Sequence, residues 1–431
     1  MALRSIGWTI AGFGVQQVLR LGSNLILTRL LFPEAFGIMA LAQLFLVGLN
    51  NLSDIGVGPS IIQNKRGEDP DFLATAWTMQ VMRGFAIFLG ICPLAYPISQ
   101  IYNEPILFPI LILLGASSAV SGFQSIGLAT ANRKLALGRL TIIELCSQSV
   151  GIVVMVLWAW LNQSIWSLVG GGVIASTVRV ILGHKLLASS GNHFHFERSA
   201  ALDIFHFGKW IFAATALNFF GGQGLRLVEG YFVPRDILGM LHVAGTLGAI
   251  AVALTEKVGD SVLFPAFSAI FRERPEQLPL RLRESRVKLF WTTLPIFALL
   301  ILFGRELITL MYDDRYMQAG TFLIIGATGS AVAAQRALYG MVLISVGDSF
   351  GHSILMTARA VARISAVIVG FHYGGVLGML TADAITNLVL YPLEAWRLRL
   401  HGLWFPGFDL IVFSAYAAIG ILSYFAGPLL F

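Results

Sequence analysis

The stretch FGHSILMTARAVARISAVIVGFH, residues 350–372, decides how the rest of the chain is read. It is mostly apolar and about as long as a helix must be to cross a bilayer, which takes about 20 residues. Arg359 and Arg363 interrupt it four positions apart, so on a helix they share one face. A charge at mid-bilayer is costly, and two like charges together are worse. The stretch therefore poses two questions: whether the whole chain lives in a membrane, and what holds two arginines there.

Composition answers the first. The chain has 431 residues, of which 56% are hydrophobic and 12% charged, with a mean hydropathy of +0.77. Soluble domains carry about 25% charged residues. The chain reads as a polytopic membrane protein, and its 45 glycines suit close helix packing in lipid. The net charge of +6 is read as basic cytoplasmic loops, with no nucleic-acid partner. Cys92 and Cys146 fall inside apolar segments and suggest neither a disulfide framework nor a metal site. The first apolar run continues past Asn24 without a small-residue cleavage site, so no cleavable leader is expected.

Thirteen segments qualify as candidate spans: 6–31, 37–62, 73–98, 106–130, 138–161, 164–187, 203–232, 238–270, 287–312, 317–346, 350–372, 374–397 and 408–427. They are too long and too evenly apolar for barrel strands, which leaves helices. Connections after even-numbered segments hold Lys65, Arg66, Arg133, Lys134 and Arg139, then Lys185 and Arg198. They continue with Arg272, Arg274, Arg281, Arg283, Arg286 and Lys288, and end with Arg397 and Arg399. Connections after odd-numbered segments hold only Arg235 and Arg315. This asymmetry places the N-terminus in the cytoplasm. No loop is large enough for a soluble catalytic domain, and no nucleophile–base constellation is present, so no enzyme is expected.

A weak internal repeat divides the chain. Trp8 precedes Pro33 by 25 residues, and Trp210 precedes Pro234 by 24. SDIGVGPS (53–60) sets Asp54 five residues before Pro59, and GDSVLFPA (259–266) sets Asp260 five before Pro265. Six segments per half is an even number, so the second half restarts on the same side as the first. The expected fold is an all-α polytopic membrane protein with two six-helix lobes, arranged as parallel repeats around a central cavity. The lobes are residues 1–190 and 203–400, joined by a cytoplasmic linker at 191–202. An extra C-terminal transmembrane helix lies in 401–431, giving about 12–14 spans.

Charges inside the spans carry the functional information. The basic ones are Arg20, Arg83, Arg179, Arg226, Lys257, Arg336, Arg359 and Arg363; the acidic ones are Asp54, Glu144, Glu256, Asp260 and Asp383. Internal pairing accounts for Glu256, Lys257 and Asp260, which lie within one turn. Arg83 and Arg179 are placed to snorkel. Arg20 pairs with a neighbouring helix or meets a ligand. Arg359 and Arg363 have no acid within a turn, Arg336 adds a third cation, and Asp383 can neutralise one of the three. Two readings stay open: a structural network with further partners, or contact with an anionic substrate whose phosphate oxygens suit the guanidinium fork. His193 and His195 in NHFHFE lack the further ligands of a metal site. GFG at 12–14 and GGG at 170–172 are packing or bending glycines, because no phosphate-loop lysine follows.

SNLILTRLLFPEAFGIMAL (23–41), SDIGVGPSIIQNKR (53–66) and ATAWTMQVMRG (74–84) resemble the polysaccharide biosynthesis, or oligosaccharide flippase, family. That family belongs to the multidrug/oligosaccharidyl-lipid/polysaccharide exporter superfamily. FGKWIF (207–212) is similar to the family's restart at the second half. The resemblance implies two six-helix lobes facing a cavity and transport of undecaprenyl-diphosphate-linked oligosaccharide across the bacterial inner membrane by alternating access. It implies no cofactor. Its partners would be the lipid-linked oligosaccharide, membrane lipids, and polysaccharide polymerase and export machinery. Arg336, Arg359, Arg363, Arg226 and Arg20 would then contact the diphosphate or line the cavity. Asp54, Asp260, Glu256 and Asp383 would serve as gate or ion-coupling groups, with helix-end capping and pairing the alternative for Asp54 and Asp260. One departure stands out: the family often carries an acid where this chain has Leu225, which leaves Arg226 without an adjacent counter-charge. The rivals are a multidrug or cation antiporter of the same fold and a membrane-embedded polysaccharide enzyme. Deep arginines outnumber deep acids, which disfavours a cationic cargo.

Overall fold

An apolar chain must satisfy its own backbone N–H and C=O groups in hydrocarbon, and helices do this within one segment. A computed structural model of the protein describes residues 2–134, 136–187, 189, 191–258 and 263–426. Among these, the regular structure is helical, without strands. Asp260 lies outside the described residues, as does the side chain of Glu256. Eight described helices are long and apolar enough to cross a membrane, or nine if a bent pair is one span.

The chain packs as two compact units, Met1–Gln223 and Gly224–Phe431. Unit 1 contains α1 (Ala2–Leu30), α2 (Pro33–Leu52), α3 (Val57–Gln63), α4 (Pro70–Ile101), α5 (Leu107–Gly122), α6 (Gly127–Arg133), α7 (Leu137–Leu161) and α8 (Trp166–Leu186). It also holds the first part of α9 (Arg198–Phe232). Helix α4 packs on α5, α7 on α8, and α1 on α7. Glycines let backbones meet at these crossings. A Cβ at Gly84 would stand 2.8 Å from the Ser118 carbonyl and 3.0 Å from Gly122 Cα.

Two of the expected spans are broken in this unit. The segment 37–62 stops at Leu52 and restarts at Val57, across Gly56 at φ 65°. The Asp54 carboxylate accepts the Gly56 N–H at 3.0 Å inside this break. The segment 106–130 divides into α5 and α6, bent by 63°.

The units do not divide at the expected linker. The boundary falls within α9, whose 35 residues reach about 50 Å. Its start is a part of unit 1: Ala200 and Ile204 are buried with Val57, Ile61, Phe72 and Trp77. The linker is docked rather than free. The backbone N–H groups of His195 and Glu197 donate to the Thr78 and Thr75 hydroxyls at 3.1 and 3.0 Å. Arg66 clamps Glu197 through both oxygens at 2.8 and 2.7 Å. Hydrogen bonds from Arg66 and Ser199 pull the Glu197 carboxyl down to about 2, so the clamp is charged at neutral pH.

Unit 2 is built around α14 (Met317–Ser345). Against it pack α10 (Arg235–Val258), α11 (Phe264–Glu273), α12 (Leu278–Leu302), α13 (Gly304–Met311), α15 (Ser349–Val389), α16 (Tyr391–Leu400) and α17 (Pro406–Ala426). Helix α15 is a hairpin. Its backbone leaves helical geometry at Gly374 and Gly375, the latter at φ 58°. A Cβ on Gly370 would run into the Gly378 carbonyl, so the arms touch backbone to backbone. The expected spans 350–372 and 374–397 are therefore antiparallel neighbours. Asp348 caps this helix by accepting from Gly351 N, and hydrogen bonds from Arg397 hold its carboxyl well below the usual range.

Replacing Gly84 with alanine forces the α4–α5 crossing apart. It should destabilise the protein by about 1–3 kcal/mol, read as a lower melting temperature of the detergent-purified protein. Gly90→Ala is the control, because nothing stands within 4 Å of its added Cβ. Equal melting temperatures for the two variants would contradict backbone-to-backbone packing at Gly84.

Candidate functional site

The site grows from three places where unit 2 puts an arginine opposite a carboxylate. Arg336 lies on α14, and 1% of it is exposed. Its Nε and Nη2 donate to the two oxygens of Glu394 at 2.7 and 2.6 Å, and its Nη1 donates to the Asn387 carbonyl. Glu394 sits on α16 and is 2% exposed. The same carboxylate oxygen that takes Arg336 Nη2 also accepts from Arg359 Nη2. One turn further along the hairpin, Arg363 makes a bidentate pair with Asp383 on the returning arm, at 2.6 and 2.8 Å.

The hairpin explains this geometry. Folding at Gly374–Gly375 brings residue 383 back alongside residue 363, while α16 follows the hairpin at once and swings Glu394 toward α14. The last turns of α9 complete the group. Glu229 interacts electrostatically with Asp383, Arg226 and Arg363. His352, at the start of α15, interacts with Arg359 and Glu394.

The charges do not balance. Among the described residues of this group, four arginines (226, 336, 359 and 363) face three carboxylates (229, 383 and 394). The guanidiniums differ in how far they are used. Arg336 is saturated by Glu394 and Asn387, and Arg363 is matched by Asp383. Arg359 shares a carboxylate already taken, and its buried Nε has no hydrogen-bond partner. Arg359 and Arg363 remain partly accessible, at 27% and 33% of their side chains.

This revises the sequence expectation of arginines short of internal partners. Asp383 neutralises Arg363, as anticipated, but Glu394 serves both Arg336 and Arg359. Arg226 has its counter-charge three residues on, at Glu229, although position 225 is leucine. Glu394 and Glu229 were legible by the test applied to the arginines, since each is a carboxylate inside an apolar segment. Arg20 is exposed on α1 and belongs to unit 1, apart from this group. Asp54 lies in the α2–α3 break, with Arg83 Nη1 4.0 Å away. Arg179 pairs with Glu144 at 2.8 Å. Among the described residues no cluster of three or more His, Cys, Asp or Glu could hold a metal ion.

A second buried network was hidden by a misplaced boundary. Arg286 was expected in a loop, but α12 starts at Leu278, nine residues before the apolar run, and buries it. Arg286 Nη2 and the Tyr339 hydroxyl both donate to Asp409 Oδ1, and the Tyr391 hydroxyl donates to Oδ2 at 2.6 Å. The guanidinium stacks on Tyr339 and Phe408, 4.5 and 4.8 Å from the ring centres. This network anchors α17 to α12, α14 and α16.

Removing one partner of a buried ion pair strands the other charge and costs about 3–5 kcal/mol. Glu394→Gln should therefore lower the melting temperature sharply. Arg336→Met combined with Glu394→Leu should recover part of that loss, because no buried charge remains at α14, while the partly accessible Arg359 still loses its carboxylate. A Glu394→Gln variant as stable as the parent would show that the shared carboxylate does not hold these helices.

Comparison with known proteins follows the same lines. The chain is 21% identical over 424 residues to the lipopolysaccharide biosynthesis protein WzxC of Escherichia coli, covering 92% of this chain and 82% of that protein. It is 21% identical over 412 residues to the succinoglycan biosynthesis transport protein ExoT of Rhizobium meliloti, covering 96% and 80%. Its fold matches an inward-facing multidrug resistance MATE family transporter of the MOP superfamily with a TM-score of 0.74, at 15% identity over 90% of this chain and 95% of that one. It matches the lipid II flippase MurJ, in an inward closed conformation, with a TM-score of 0.73, at 16% identity over 97% and 91%. At such identities the two structures establish a shared all-helical membrane fold. The model of the polysaccharide biosynthesis protein family matches residues 26–320, over half of this sequence, and the chain belongs to that family.

Proposed function

We propose that the protein is a flippase for undecaprenyl-diphosphate-linked oligosaccharide repeat units. It carries them from the cytoplasmic to the periplasmic leaflet of the inner membrane by alternating access, and it performs no covalent chemistry. The observation that carries this reading is the cation excess of unit 2, centred on Arg359. A lipid diphosphate is a compact anion that must cross hydrocarbon with a polar glycan attached. A partly accessible guanidinium that is held in place but incompletely neutralised is suited to meet it. The family and the printed names of WzxC and ExoT support a role in surface-polysaccharide assembly.

In this reading the arginines divide the work. Arg336 is a positioning residue: it holds Glu394, which holds Arg359. Arg359 is the substrate contact, with Arg226 and Arg363 lending positive potential; Arg20, exposed on α1 of unit 1, is a separate cation on the substrate's route. Asp383 competes with the diphosphate for Arg363, so binding and release stay balanced. Asp54 and Asp260, each five residues before a proline in its half of the sequence, serve the gate, with Glu256 four residues before Asp260. The basic connections face the cytoplasm, and a polymerase receives the product.

The test is the leaflet distribution of the lipid-linked oligosaccharide in cells lacking the protein, rescued at matched membrane levels by wild type or by Arg359→Gln. The glycolipid should collect on the cytoplasmic side without the protein, and Arg359→Gln should clear it about 10–100-fold more slowly, the range of one charged hydrogen bond. An unchanged distribution together with altered sensitivity to cationic drugs would instead identify an antiporter.

A further inference from the structure

Unit 1 contains a cavity of about 670 Å³ that the charge network of unit 2 does not use. Pockets that bury small ligands run from about 300 to 1,000 Å³. The walls come from the α2–α3 break, one face of α4, the end of the docked linker and the first turns of α9. They are almost wholly apolar. Met82, Phe196 and Phe205 line the cavity while remaining 59%, 59% and 57% exposed. Flexible thioethers and rings of this kind suit an irregular hydrocarbon chain.

Two cations stand in this apolar lining, Arg83 and Arg198. Arg83 is fixed in advance: its Nη2 donates to the Asn50 carbonyl at 2.7 Å and its Nε to the Ser53 hydroxyl at 3.2 Å. Its Nη1 lies 4.0 Å from Asp54 Oδ1, beyond hydrogen-bond reach, and among the described residues it has no hydrogen-bond partner. Arg198 is exposed in the first turn of α9, and among the described residues it forms no ion pair. A cation in a first turn opposes the helix dipole, so helix stability does not explain it. The two acids next to these cations have other contacts as well. Glu197 is clamped by Arg66, and Asp54 accepts the Gly56 N–H.

We propose that this cavity is a loading site for the polyprenyl-diphosphate end of the transported lipid. The diphosphate lies between Arg83 and Arg198, and the first isoprene units lie against Met79, Met82 and Phe205. A single-chain lipid fits one undivided cavity of this size better than a two-chain phospholipid. The site sits at the basic end of unit 1, beside Arg66 and Arg133, which is the cytoplasmic end under the proposed orientation. Asp54 sets the affinity by competing for Arg83 Nη1, so the site holds its ligand weakly enough to pass it on. The inference rests on the flippase reading and adds to it a first stop for substrate, in the other unit from Arg359.

The test uses the full chain in phosphatidylethanolamine nanodiscs with undecaprenyl diphosphate as probe. A benzophenone amino acid at the exposed position 82 should cross-link to the probe. R83Q combined with R198Q should weaken binding at least tenfold, R83K should keep part of it, and D54N should tighten it severalfold. Melting temperatures identify any variant that fails to fold, and the cross-link then decides. Wild-type affinity in the double variant, or no cross-link at position 82, overturns the proposal. Equal displacement of the probe by dioleoylphosphatidylglycerol also overturns it, since the cavity would then be a general lipid seat. If wild type still clears the glycolipid in cells, only the loading site has failed. If neither transfer nor binding is found, the flippase reading fails with it.

Discussion

Glu394 carries one negative charge and faces two guanidiniums. In an interior of low dielectric, loss of this carboxylate would strand the buried Arg336 and leave Arg359 without its partner. This carboxylate therefore sets where α16 lies against α14 and against the first arm of the α15 hairpin. The same face of α14 serves the second network, since Arg336 and Tyr339 are three residues apart and Tyr339 donates to Asp409. Unit 2 is thus organised by two carboxylates on late helices, each reaching back to cations and hydroxyls on earlier ones.

Transport of an anion through hydrocarbon asks for a cation that is held but not cancelled. In the proposed reading, burial and pairing divide that requirement among the three arginines of α14 and α15. Arg336 is fully coordinated and nearly inaccessible, Arg363 is matched by one carboxylate, and Arg359 is held by half of a shared one. A gradation of this kind needs no extra charge beyond the one unmatched arginine. It also keeps the local field modest, which suits a site that must release what it binds.

Unit 1 follows a different plan. Its helices cross through glycines, its second span is broken at Gly56, and its linker lies docked along α4 by Thr75, Thr78 and the Arg66–Glu197 clamp. The segment that joins the two units is therefore α9 itself, a continuous helix whose start belongs to one core and whose end carries Arg226 and Glu229 into the other.

Much of this was legible in the sequence. The apolar segments, the membrane class and the resemblance to a polysaccharide family all follow from local composition and short motifs, because length and hydropathy alone decide whether a segment is stable in lipid. The described parts of the expected segments fall on helices, although some are interrupted, as at Gly56 within 37–62 and at the bend between α5 and α6 within 106–130. Which arginines are short of partners was not legible. Arg359 and Glu394 are 35 residues apart, and Arg286 and Asp409 are 123 apart. Only the hairpin turn and the packing on α14 bring these pairs together. Sequence determines which charges are expensive, since that depends on the medium around each segment. Tertiary structure decides which are neutralised, since a charge–charge contact acts over a few ångströms and chain separation says nothing about that distance.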